Sequence, residues 1–262
     1  MPIEVKWPFE HDCNMSLGWR LTSKLVMSVV GTAGIIASTW LNRTTVYNRE
    51  ALYRAIDDRP KDRALLTVCN HHSTLDEPVL WGMLKWRHLT WNNEVMRWTL
   101  GAADVCFTRE FHSKFFAYGR TVPVCRGEGV YQYAMDFCLQ RMNEGGWVHA
   151  YPEGRINADH STIRLKWGVG RLVAECEREP IVLPFHHLGM DDLVPNKSPY
   201  RPRVGQRITA LIGEPMEFSR VRQAMRAGAI TRRQARKEIT DRIQEEFEIL
   251  KEKTRRLHYA QC

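Results

Sequence analysis

His71 and Asp76 stand five positions apart, and a histidine held by a carboxylate can take a proton from a hydroxyl. Further along the chain, Arg126 offers a permanent planar cation whose fork can grip two oxygens of a phosphate at once. The run Tyr151-Pro152-Glu153-Gly154 then closes an apolar stretch with a tight turn. Gly154 permits close backbone approach there, and Glu153 can bond a hydroxyl or fix the loop. The His-x4-Asp spacing also fits His186 with Asp191 and His187 with Asp192. The order of base, phosphate holder and turn therefore carries the signal, not the pair alone.

Positions i and i+5 of a helix diverge by roughly 140°, so His71 and Asp76 must meet across a turn. An apolar strand ends at Cys69, Ser73 and Thr74 offer helix caps, and Pro78 suits a first helical turn. His71 then sits at the strand's end and Asp76 in the first turn of the helix. Asp76 accepts from one ring nitrogen and leaves the other free as a base. Asn70 is placed to hold the turn. His72 and Glu77 form a parallel pair one residue along, in a register that aims His72 away from the site. His186 and His187 follow a hydrophobic strand, which suits a structural role or a place on a cleft wall.

The elements that must position these residues alternate. Strands are expected at Thr44–Tyr47, Ala64–Cys69, Thr121–Cys125, Trp147–Tyr151, Ile181–His186 and Arg207–Ile212. Helices are expected near Val79–Arg87, Phe111–Tyr118, Val130–Met142 and Ile163–Glu177. This alternation predicts an α/β fold, a mostly parallel sheet flanked by helices. Asp191–Gly205 reads as a surface loop. A capping box at Thr231 and Gln234 opens a C-terminal helix with Ile239, Ile243, Phe247, Leu250 and Leu257 along one stripe, a docking face for the domain. Gly168-x-Gly170 lacks the third glycine of a dinucleotide fingerprint. The expected organisation is an N-terminal segment over 1–43, an α/β domain over 44–215 and a helical segment over 216–262.

Hydrophobic content of 44% and charged content of 26% are ordinary for a folded chain of 262 residues. A formal charge of +8 favours an anionic partner, a phospholipid surface or nucleic acid. No zinc-finger, RNP or basic-zipper pattern supports nucleic acid. Seven scattered cysteines with no C-x-x-C pair argue for buried free thiols over a disulfide framework. Glu4, Glu10 and Asp12 do not suit an acid-poor targeting presequence, so any mitochondrial address is expected to be internal.

Leu25 to Leu41 carries no charge but falls short of the ~20 apolar residues of a spanning helix. A helix lying in one leaflet is expected, anchored by Leu25, Val26, Val29, Val30, Ile35, Ile36, Trp40 and Leu41; a buried domain helix is the alternative. Trp81, Trp86, Trp91 and Trp98 fall among Lys85, Arg87, His88 and Arg97, a mixture suited to lipid headgroups or, equally, to a core.

His71 to Asp76, Arg126 and Tyr151 to Gly154 match in order the motifs of the glycerolipid acyltransferase superfamily, which this chain resembles. Six further stretches resemble one branch of it, the mitochondrial phospholipid–lysophospholipid transacylases. They are Val5-Lys6-Trp7-Pro8-Phe9, Met96-Arg97-Trp98-Thr99, Ala102 to Thr108, Val122 to Gly127, Lys166 to Leu172 and Gly189-Met190-Asp191-Asp192.

The resemblance implies His71 and Asp76 as catalytic, with Asn70, Arg126, Glu153, Gly154 and Arg155 facing substrate and no cofactor or metal. Arg155-Ile156-Asn157 departs from the superfamily's usual Thr-Arg-Ser, which bears on phosphate contacts in that loop. The implied substrates are phospholipids and lysophospholipids, including cardiolipin, monolysocardiolipin and phosphatidylcholine. The implied place is the surface of a mitochondrial membrane facing the intermembrane space. Acyl transfer without coenzyme A is the first expectation, an acyl-CoA-dependent lysophospholipid acyltransferase the second, and a membrane scaffold without catalysis the third.

Overall fold

Seven short strands form one sheet in the order β1-β7-β6-β2-β5-β3-β4 in a computed structural model that describes residues 6–9, 15–90, 96–196 and 201–260. The strands are β1 (Arg43–Tyr47), β2 (Leu65–Cys69), β3 (Trp98–Ala102), β4 (Thr121–Val124), β5 (Trp147–Ala150), β6 (Ile181–Leu188) and β7 (Arg207–Ile212). Every pairing is parallel except β6 with β7, as the mostly parallel α/β expectation requires.

Strand β2 lies at the centre and is buried on both faces, which explains its unbroken apolar run. Leu66 and Val68 enter one core with α7 (Tyr133–Asn143), α8 (Gly168–Glu175) and α11 (Arg232–Tyr259). Leu65 and Cys69 enter the opposite core with α2 (Arg49–Asp57) and the α3 region. Strand β3 is the one sequence reasoning missed. Its glycine, Gly101, weakens strand character, but Thr121 of β4 fills the space a side chain would take.

The helical reading of Val79–Arg87 resolves into α3 (Asp76–Leu80), a tight turn at Trp81–Met83 and α4 (Trp86–Thr90). Then come α5 (Ala103–Cys106) and α6 (Glu110–Tyr118), while α9 (Met190–Leu193) opens the loop read at Asp191–Gly205, of which 197–200 lie outside the described residues. Helix α8 starts only at Gly168, because Leu165 N–H donates to Gln244 Oε1 and Lys166 N–H to Pro152 O. Helices α2 and α10 (Ser219–Arg226) were not anticipated. The capping box of Thr231 and Gln234 opens α11, whose Ile239, Ile243, Phe247 and Leu250 are buried against α8 and β6, with Leu257 half-buried.

Helix α1 runs from Leu17 to Ile35 and continues in a wider turn to Trp40, eight residues earlier than the uncharged segment suggested. Arg20 and Lys24 do not stop it because they lie on its exposed side. The 24 residues of Leu17–Trp40 are long and apolar enough to cross a membrane by length and composition. Yet the helix lies along α3, α4 and α6. Ser23 Oγ donates to Tyr118 O at 2.7 Å, and Ser28 Oγ to Leu89 O at 3.1 Å. Leu17, Leu21, Leu25, Val29, Ile36, Trp40 and Leu41 are exposed, whereas Val26, Val30 and Ile35 are half-buried.

The tryptophan cluster needs correction. Trp81 and Trp98 are core residues, Arg97 and His88 are buried in ion pairs with Glu77 and Asp57, and Trp86 is exposed. Trp91 lies outside the described residues. Indoles in the core and partners on Glu77 and Asp57 account for Trp81, Trp98, Arg97 and His88 without a headgroup contact.

A Cβ on Gly34 would run into the Pro78 carbonyl oxygen, so this glycine sets how closely α1 approaches α3. Gly34→Ala should lower stability by about 1–3 kcal/mol through overpacking. Gly18→Ala, where nothing lies within 4 Å, serves as the control. Equal thermal unfolding midpoints for the two variants would contradict this account of the contact.

Candidate functional site

Because β6, β2, β5, β3 and β4 run in parallel, their carboxyl ends share one edge of the sheet, where clefts form in open α/β sheets. The loop after β2 brings His71 to this edge, the loop after β5 brings Tyr151 to Arg155, and the loop after β4 brings Arg126.

His71 Nδ1 lies 2.8 Å from Asp76 Oδ2, and that oxygen also accepts the backbone N–H of His72 at 2.7 Å and of Ser73 at 2.9 Å. Asp76 is fully buried at the start of α3, while the His71 side chain is 22% exposed. With Asp76 as acceptor, the Nδ1 proton points at the carboxylate and Nε2 keeps its lone pair. Such a pair can remove a proton and hold the resulting imidazolium. Ser73 contributes to the turn through its hydroxyl, which accepts Leu75 N–H at 3.2 Å; no side chain caps α3 itself.

The turn after β5 locks onto the same loop. Glu153 accepts His71 N–H at 3.4 Å and Asn157 Nδ2–H at 3.4 Å, while Asn157 N–H donates to His71 O at 2.6 Å. Burial raises the Glu153 carboxyl above the ordinary range, against the pull of those donors. Gly154 has φ 72°, where a side chain is strained, and a Cβ would also press on Lys166. Arg155 beyond it is exposed.

Glu77, read as the acid of a second histidine pair, goes elsewhere. Its carboxylate takes Arg97, Trp81 Nε1 at 3.0 Å, Thr99 Oγ1 at 3.3 Å and the Tyr151 hydroxyl at 3.0 Å. Burial opposes its ionisation, but Arg97, His149 and these donors outweigh that and hold the carboxyl below its usual range. The Tyr151 ring stacks on His71, centroids 4.2 Å apart at 24°. Arg97, Asn157 and Asp104 escaped sequence reasoning, since only the missed β3 and the loop closures bring them in.

Asn70 turns inward. Its amide donates to His187 O at 3.0 Å and accepts His187 N–H at 2.9 Å, so the side chain fixes the ends of β2 and β6 together. Asn70 also lines the small pocket beside His72 and Glu153. His187 Nε2 donates to Asn70 O at 3.1 Å. Beneath them, Trp147 Nε1 donates to Thr67 Oγ1 at 2.8 Å, which leaves the hydroxyl proton for His149 Nδ1 at 2.8 Å. His149 therefore carries its proton on Nε2, toward Cys69 Sγ at 3.7 Å, and burial lowers its pKa to about 3.

His72 faces away from Asp76. Burial, then the neighbouring His187, His160, His186 and Lys251, push its pKa far below that of a free imidazole. Its ring stacks on His160 at 3.8 Å and 7°, and His160 Nε2 bonds Asp191 at 2.9 Å, which raises the His160 pKa. Ligand atoms of His72, His160 and Asp191 lie within 4.8 Å of one another. Two rings in parallel planes share no point in both planes, so they cannot coordinate one ion as they stand. A small pocket adjoins this cluster, lined by Asn70, Glu153, Asn157, His186, Phe247 and Lys251.

Arg126 lies at the end of edge strand β4, three strand spacings of ~4.8 Å from β2, or roughly 14 Å. Its guanidinium grips Asp104 in a fork, with contacts of 3.1, 2.8 and 2.7 Å.

The acyltransferase family profile matches residues 43–188. The chain is 42% identical over 258 residues to a tafazzin of Drosophila melanogaster, covering 98% of this chain and 68% of that protein. It is 38% identical to an N-acylphosphatidylethanolamine synthase of Arabidopsis thaliana, covering 82% and 76% respectively. Among solved structures, the 1-acyl-sn-glycerophosphate acyltransferase PlsC of Thermotoga maritima superposes with a TM-score of 0.58 at 20% identity, covering 87% of this chain and 81% of that one. That likeness shows the fold.

The depressed Glu77 carboxyl makes a stability prediction. Its network contributes fully above the unfolded value of 4.5, and the contribution is lost as pH falls through the lower folded value. Urea unfolding of Glu77→Gln should therefore show a shallower acid limb than wild type below about pH 4.5. Parallel limbs would mean that Glu77 does not gain its charge-stabilising partners on folding.

Proposed function

The chain belongs to the acyltransferase family and, within it, to the tafazzins; from that premise we propose that it moves an acyl chain from a phospholipid to a lysophospholipid without coenzyme A. Cardiolipin, monolysocardiolipin and phosphatidylcholine are the proposed lipids, at a mitochondrial membrane facing the intermembrane space. The observation that carries the reading is the His71–Asp76 bond at the open sheet edge, with Nε2 of His71 left as base.

In the proposed reaction, Nε2 takes the proton of the lysophospholipid hydroxyl as its oxygen attacks the donor's ester carbonyl. A tetrahedral intermediate forms and collapses by breaking the donor's own ester bond. The imidazolium returns the proton to the departing alkoxide, so the donor leaves as a lysophospholipid. Asp76, fixed by two backbone N–H groups, steadies the imidazolium in between. One ester replaces another, and no high-energy donor is needed.

Arg126 is assigned to the glycerophosphate, since the fork that holds Asp104 suits two phosphate oxygens equally well. Glu153 and Gly154 shape the loop beside His71, and exposed Arg155 lies where a headgroup reaches. Helix α1 is taken to lie in one leaflet with its Leu17–Trp40 stripe down. Crossing the bilayer would carry α3, α4 and α6 into hydrocarbon with it. The catalytic domain is taken as 44–215.

His71→Ala should lose about 10²–10⁴ in rate. The decisive assay combines purified protein with labelled phospholipid and lysophospholipid, with and without acyl-CoA. Transfer without coenzyme is expected. Strict acyl-CoA dependence would replace the transacylase reading, and an amide product on phosphatidylethanolamine would move the acceptor from hydroxyl to amine. Activity near wild type in folded His71→Ala would rule out the base.

For the membrane, wild type should stay on anionic vesicles through a high-salt wash. Serine at Leu21, Leu25 and Val29 together should leave binding that salt removes, at ~1 kcal/mol per surface cation. Labels at Ser16 and Thr44 reached from opposite sides of the membrane would show a crossing helix instead.

A further inference from the structure

Glu77, the half-buried acid beside the dyad, has no part in the reaction as drawn, yet four donors converge on it. We propose that Glu77 and Tyr151 form a positioning pair for His71, the Tyr151 ring serving as the plate on which the imidazole rests and Glu77 as its anchor. The inference rests on reading His71 as the base.

Among the described residues, the His71 ring has one hydrogen-bonding anchor, the Nδ1 contact to Asp76. A single bond leaves the ring free to swing about that axis, which would sweep Nε2 across the cleft. Stacking on Tyr151 removes this freedom from one side, at 4.2 Å between centroids. A stacked ring steers only if it is itself held. The Tyr151 hydroxyl donates to Glu77 Oε2 at 3.0 Å, and the His149 ring abuts its face edge-on at 4.6 Å and 90°. Burial, and then the Glu77 charge, raise the phenol pKa well above normal, so it remains a donor.

Glu77 is fixed in turn from three elements: Arg97 before β3, Thr99 on β3, and Trp81 after α3. It follows Asp76 directly in α3, so the dyad carboxylate and the anchor of the plate ride on one helical turn. A phenylalanine in place of Tyr151 keeps the stack and loses the anchor, which makes the hydroxyl a feature that can be removed cleanly.

The test measures kcat and KM for lysophospholipid in mixed micelles. Tyr151→Phe should lower kcat about tenfold, less than the ~10² of a full 1 Å misplacement, with KM within about twofold. Tyr151→Leu, which removes the plate, should approach that ~10² loss. Tyr151→Phe combined with Glu77→Leu should be no slower than Glu77→Leu alone, because both cut the same link. A part that only stabilises the fold would reduce the yield of folded enzyme without this split or this coupling. Tyr151→Phe with kcat within about twofold of wild type, a loss confined to KM, or fully multiplying effects would overturn the proposal. His71→Ala, run alongside, separates the two readings. Activity surviving there removes the base itself, whereas an inactive His71→Ala beside a fully active Tyr151→Phe removes only the positioning.

Discussion

A single buried oxygen, Oδ2 of Asp76, takes a ring nitrogen and two consecutive backbone amides. Those three bonds define the turn between β2 and α3. They give this oxygen three donors, and in doing so they set the direction of the His71 ring. The other contacts at the sheet edge reinforce that turn. Asn70 ties its root to β6, and Glu153 and Asn157 tie its His71 peptide to the loop after β5.

The two long helices do different work around that centre. Helix α11 covers one face of the sheet with a capped, amphipathic stripe, and its Gln244 holds the extended stretch before α8. Helix α1 covers the helices on the other side through Met27 and the small residues Ser23, Gly31, Gly34 and Ser38, and turns Leu17, Leu21, Leu25 and Val29 outward. Mostly small residues inward and large aliphatic ones outward invert the usual arrangement of a soluble amphipathic helix. That inversion is the physical basis for reading it as a helix between protein and lipid.

Much of this was legible before any coordinates. Six of the seven strands were recognisable because β-branched and aromatic runs ended at turn residues, and the His71–Asp76 turn followed from the impossibility of a shared helix face. What escaped was written in long-range pairing. Strand β3 hides behind Gly101 and is completed only by Thr121 of its neighbour. Arg97 and Trp98 looked like interfacial residues, since local composition cannot distinguish a cation near lipid from one facing a half-buried acid. Glu77 looked like the partner of His72 because spacing alone carries no information about which way a turn faces. Asn70 was rightly placed at the strand end, yet its side chain reaches across to β6, a contact 117 residues distant in sequence.

The clasp of Arg126 on Asp104 bears on selectivity in the proposed exchange. Donor and product there are the same kind of molecule, so a pocket that seized phosphate strongly would be inhibited by whatever it had just made. Under the proposed assignment, an arginine already paired with its own carboxylate would perform ion exchange instead of ion capture: a lipid phosphate would displace Asp104, and Asp104 would stand at hand to displace it again. The grip on a headgroup would thereby be weakened by an internal competitor whose local concentration never falls. Under the proposed assignment, turnover among near-identical lipids would depend less on tight recognition of any one headgroup than on which acyl chains the membrane offers.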